Sequence, residues 1–96
     1  MAIFIVLLDF TDEGIRNIKE SPRRADAFNE FAERAGAHVV GQYWTIGSHD
    51  GVLVLEAATD EIAASVLFHL AAAGAVRTTT LRAFDWAEAQ ELIHAG

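Results

Sequence analysis

Gln42-Tyr-Trp-Thr-Ile-Gly-Ser-His-Asp-Gly-Val-Leu-Val-Leu-Glu56 reads as two strands joined by a tight turn at Gly47–Gly51. Aromatic, β-branched and aliphatic residues flank a cluster of Gly, Ser, His and Asp, the pattern of a β-hairpin. In the second strand Val52-Leu-Val-Leu55 is apolar at every position. A strand with one wet face alternates, so this strand is expected to be covered on both sides.

The same signal recurs at the start of the chain, where Ile3-Phe-Ile-Val-Leu-Leu8 is also apolar at both parities. The run from Ala2 lacks a basic leading segment and ends at Asp9, so it is expected to be a central strand, not a signal peptide. Thr11 is placed to cap a short helical turn, with Asp12 and Glu13 against its dipole and Ile15 and Ile18 as anchors. Ser21-Pro22 has the chemistry of a helix start, Ser as N-cap and Pro in the first turn. That helix is expected to run to about Ala35 and stop at Gly36, with Phe28, Phe31, Ala32 and Ala35 as its apolar stripe.

A strand over His38–Ile46 and another over Gly51–Ala57 follow. Thr59 or Asp60 then caps a second helix to about Ala73, with Ile62, Ala63, Val66, Leu67 and Leu70 inward. Val76–Phe84 makes the fourth strand, and Asp85 caps a terminal helix, Trp86–His94, docked through Trp86, Ala89 and Leu92 or Ile93. The order is βαββαβ plus a helix, one domain over residues 1–96. It predicts an α+β, ferredoxin-like antiparallel sheet with strands one and three central and two helices on one face. The other face then needs a cover. A second copy of the same face is the simplest one, giving a dimeric α+β barrel or a higher even oligomer. The 52% apolar content, high for 96 residues, points the same way.

Fourteen acidic against seven basic residues leave a formal charge of −7, which argues against nucleic acid or an anionic membrane as partner. With no cysteine, disulfides and thiolate chemistry are excluded. No apolar run reaches the length of a membrane span, and the expected location is the cytoplasm.

Candidate chemistry concentrates in the hairpin and ahead of the first long helix. His49, with Asp50 nearby, is a candidate general base or metal ligand, and Glu56 a candidate buried acid. The bland alternatives are a turn built by Asp50 and Gly51, with Gly51 at positive φ, and an acid marking where its strand meets water. Tyr43 and Trp44 face opposite sides of their strand, and Gln42 shares a side with Trp44, so Gln42 and Trp44 together form an amphipathic pocket wall. Arg16, Lys19, Arg23 and Arg24 bring four of the seven basic residues to one helix start. Arg23 and Arg24 in a first turn oppose the helix dipole, an arrangement that a bound anion or a salt-bridged patch would offset. Asp50 completes the candidate ligand set. His38, His69 and His94 lack metal-ligand spacing and no zinc signature is present, so no metal site is assigned, and no motif specifies a cofactor.

Three segments together resemble the GYD domain family of small bacterial and archaeal proteins: Phe10–Arg24, Tyr43–Asp50 with Val52–Glu56, and Val76–Phe84. The family's Gly-x-Tyr-Asp motif is matched by Gly47, Ser48 and Asp50, with His49 where Tyr is usual. The resemblance implies the ferredoxin-like fold of the dimeric α+β barrels and no particular activity. The leading expectation is a homo-oligomer that binds a small molecule or anion in or beside the barrel. The alternatives are a barrel enzyme of monooxygenase, isomerase or cyclase type on a small organic substrate, and a purely structural assembly module.

Overall fold

A computed structural model describes residues 1–96. The expected order is observed: β1 (Ala2–Phe10), α1 (Asp12–Arg16), α2 (Ser21–Arg34), β2 (Ala37–Trp44), β3 (Gly51–Ala57), α3 (Asp60–Ala72), β4 (Val76–Ala83) and α4 (Trp86–Ala95). The four strands form one antiparallel sheet in the order β2-β3-β1-β4, the ferredoxin-like arrangement with β1 and β3 central. No helix is long and apolar enough to cross a membrane.

Pleating splits the central strands into two apolar sets. Phe4 and Val6 of β1 and Leu53, Leu55 and Ala57 of β3 face α2 and α3 and are buried. Phe28 and Ala32 of α2, with Ala63, Val66 and Leu67 of α3, close that core, and Phe31, Ala35, Ile62 and Leu70 pack against it. The opposite set, Ile3, Ile5 and Leu7 of β1 with Val52 and Val54 of β3, stays half-buried because no element of the chain lies over it. Strands apolar on both parities therefore have one face covered within the chain and one left open.

Three local expectations change. The short helix α1 is anchored by Gly14 and Thr11, not by Ile15 and Ile18, which are exposed. Thr11 caps α1 at Gly14 N–H, and its hydroxyl donates to the Gly74 carbonyl at 2.6 Å. Gly14 packs so closely on the Ala75 carbonyl that a Cβ there would lie 2.0 Å from the oxygen. Ser21 does not cap α2. A 3₁₀ turn over Ile18–Glu20 runs straight into the helix, so Ser21 is already helical and its hydroxyl is free for another partner.

The terminal helix is the third change. It carries the expected Asp85 cap, completed as a capping box by Glu88. Yet α4 buries no residue against its own chain: Trp86 is 78% and Ile93 75% exposed, and Leu92 is exposed as well. Of the expected docking residues only Ala89 is half-buried, since α2 and α3 already occupy the helix side of the sheet.

Candidate functional site

The hairpin of β2 and β3 is bent by a β-bulge. Val39 pairs with Leu55, but Gly41 pairs with Val54, so Val40 is the extra residue. From there on the parity of β2 is inverted. Gln42 and Trp44 pair with Leu53 and Gly51 on the helix side, whereas His38, Val40 and Tyr43 belong to the open side. Without the bulge, Gln42 and Trp44 would share the face of His38.

The inverted residues wall a cavity of about 250 Å³ between α2, α3 and the β2 end of the sheet. Phe28 and Ala25 of α2 and Leu70 and Ala73 of α3 bound it on one side, and Leu8, Leu53, Gln42 and Trp44 on the other. Ser21, Arg24, Asp50 and His69 supply most of its remaining polar character. The His69 ring stacks on Phe31 with centroids 3.7 Å apart.

The hydrogen bonds explain how these side chains are held. The Trp44 indole N–H donates to Ser21 Oγ at 2.9 Å, tying the end of β2 to the start of α2. The Asn29 amide donates to Gln42 Oε1 at 3.1 Å, fixing the other wall residue. Asp50 does not bond its own backbone as a simple turn residue would. Its Oδ2 accepts from the Phe10 N–H at 2.9 Å, and its own N–H donates to the Leu8 carbonyl at 2.8 Å. The hairpin connection is thereby stitched to the end of β1. Gly51 does not take positive φ. That role falls to Gly47, and Gly51 is glycine because a Cβ would meet the Tyr43 carbonyl at 3.0 Å and Leu8 Cδ1 at 3.3 Å.

Two buried polar atoms in this region have no partner, Arg24 Nη1 and Asn29 Oδ1. Arg24 lines the cavity and takes part in none of the chain's ion pairs. Its neighbour Arg23 points to solvent and pairs with Glu20. A guanidinium nitrogen withdrawn from water without an acceptor is unfavourable, and a bound anion is one way to satisfy it.

Of the residues singled out from sequence, Gln42, Trp44, Asp50 and Arg24 meet at the cavity. Tyr43 touches its border, but its ring lies over Gly41 and the residue is 61% exposed. His49 sits outside, its Nδ1 at 3.2 and 3.3 Å from the Asp9 carboxylate. Glu56 lies at the other end of β3, beside Ile3 and His38. The length of that strand, about 23 Å, separates the two candidate proton-transfer groups. No three His, Asp or Glu side chains converge in a way that would hold a metal ion. Ser21 and the apolar lining went unassigned to a site, since their spacing signals only a helix start and a core.

The family model of the GYD domain matches residues 4–93. A Thermus thermophilus protein named glutamine synthetase and cystathionine beta-lyase binding protein is 39% identical over 89 residues. The alignment covers 92% of this chain and 94% of that protein. No solved structure matches.

Proposed function

This chain belongs to the GYD domain family, and on that premise we propose that it is a cytoplasmic, homo-oligomeric binding protein. It pairs with a second copy through the open sheet face, associates with other proteins, and holds a small molecule or anion beside the sheet. The observation that carries this reading is the uncovered apolar face of Ile3, Ile5, Leu7, Val52 and Val54, continued by exposed Leu81 on β4. Exposed apolar patches of this extent mark interaction surfaces.

The size of the face sets what must cover it. Four strands about 4.8 Å apart and about seven residues long make a face of roughly 450 Å². A stable interface buries about 800 Å² per partner. That flat footprint understates the accessible area of a corrugated face, and α4, with Trp86, Leu92 and Ile93 unburied on its own chain, adds to it by lying across the second copy. Phe68 on α3 and Ile46 in the hairpin connection stay outside that contact and are available to a different protein. The Thermus thermophilus relative is named for binding two enzymes, which supports a protein partner here and fits a cytoplasmic location.

Binding is favoured over catalysis because Asp50 and His69, which line the cavity with Arg24, are engaged by the Phe10 N–H and the Phe31 ring, and the two proton-transfer candidates do not reach it. His49 and Glu56 stand at opposite ends of β3, and neither lines the cavity. Native mass spectrometry and sedimentation velocity on the intact chain test the reading together. An even-numbered oligomer is expected, and a monomer across the micromolar range would sink the sheet-to-sheet contact.

A further inference from the structure

We infer that the cavity between α2, α3 and the sheet is a site for a small organic monocarboxylate, with the carboxylate on Arg24. This rests on the small-molecule part of the binding reading above and names the ligand's chemistry. Three observations converge on it.

The first is Arg24, whose half-buried side chain lines the cavity and takes part in none of the chain's ion pairs. Guanidinium groups prefer a planar two-oxygen acceptor, and a carboxylate supplies one. The second is the lining, in which 12 of 18 residues are hydrophobic. Phe28, Leu53 and Leu70 present an apolar wall to the body of the ligand, and an inorganic oxyanion would turn some of its oxygens toward that wall. The third is the charge balance. Arg24 is the one Lys or Arg of the lining and Asp50 its one acidic residue. A single negative charge on the ligand is matched by Arg24, whereas a second would find no further Lys or Arg in the lining and an acidic residue, Asp50, among its neighbours. The ligand is therefore monoanionic at one end and apolar over the rest.

Trp44 provides the readout, because its indole lines the cavity and is tethered to Ser21. Trp86 is exposed and outside the cavity lining, but it belongs to the proposed α4 contact, so calorimetry is run on the parent protein and Trp44 fluorescence on Trp86→Phe, in which Trp44 is the only tryptophan, and the two must agree. Isovalerate, benzoate and phenylacetate are titrated against Trp44 fluorescence and by calorimetry, beside phenylacetamide, succinate and inorganic phosphate. At least one monocarboxylate is expected to bind saturably. Phenylacetamide and succinate are each expected to bind at least about tenfold more weakly than phenylacetate, as loss of a charge-assisted pair predicts. Arg24→Met is expected to lose the same factor, and Arg23→Met to lose nothing.

Equal affinity for phenylacetate and phenylacetamide would remove the carboxylate assignment and leave small-molecule binding standing. Binding of none of the organic probes would remove both. Binding abolished by Arg23→Met and kept by Arg24→Met would move the anion to the exposed patch and overturn the assignment. The comparison among probes on the Trp86→Phe protein decides the matter even if Arg24→Met does not fold.

Discussion

Substituting Asp at Val54 and, separately, at its neighbour Leu53 addresses opposite faces of one strand. Leu53 is 1% exposed among Phe28 and the other core residues. Removing its side chain alone costs about 2–5 kcal/mol, and a carboxylate enclosed there adds several more. Against a total stability of about 5–15 kcal/mol, Leu53→Asp is expected to leave the chain largely unfolded. Val54 lies on the open face, opposite Ile5 of β1 and Gly41 of β2. Water reaches that position in one protomer, so Val54→Asp changes folding by only about 1–2 kcal/mol. In the proposed dimer the same carboxylate sits in the middle of a sheet-to-sheet contact, once from each copy. At about 2–3 kcal/mol for each buried, unpaired charge, association weakens by about 4–6 kcal/mol, or roughly 10³–10⁴-fold in Kd. Circular dichroism melting reports folding, and sedimentation equilibrium reports association. A Val54→Asp protein that associates like the parent, or a Leu53→Asp protein that melts normally, would refute the assignment of the two faces.

Substitutions at two further positions probe how the cavity and its surroundings are held. Gly14→Ala should stabilise α1 by about 1 kcal/mol on helix propensity alone. Its Cβ would instead collide with the Ala75 carbonyl, so a net loss of about 2 kcal/mol is expected, seen as a fall in Tm of about 10 °C. Asp50→Ala leaves the Phe10 N–H without its acceptor and should cost about 1–3 kcal/mol in urea denaturation. Asp50→Asn keeps an acceptor oxygen and should recover most of that loss.

The order of elements was legible because each carries its own local signal. Unbroken apolar runs marked β1 and β3 as central, and Thr11, Thr59 and Asp85 cap the helices that follow them. The glycines at Gly36 and Gly74 end α2 and α3 at positive φ. The pairing of Gln42 with Trp44 on one side of β2 was legible too, since alternation holds between them. Ser21 misled because its chemistry suits a cap, yet the 3₁₀ turn before it had already made the backbone helical. Ile15 and Ile18 misled because spacing alone does not say what lies beneath a helix.

By itself, then, the amino-acid sequence determined the βαββαβ order, the central strands, and a surplus of apolar residues on both faces of those strands. Those properties follow from composition and from periods of two and 3.6 residues, which are local. The tertiary structure alone decided that the bulge at Val40 turns Gln42 and Trp44 toward the helices, that Arg24 borders their cavity while Arg23 meets Glu20, and that His49 and Glu56 stand a strand's length apart. Each depends on register and on contacts between residues distant in the chain, and a one-residue shift in register moves every later side chain to the opposite face.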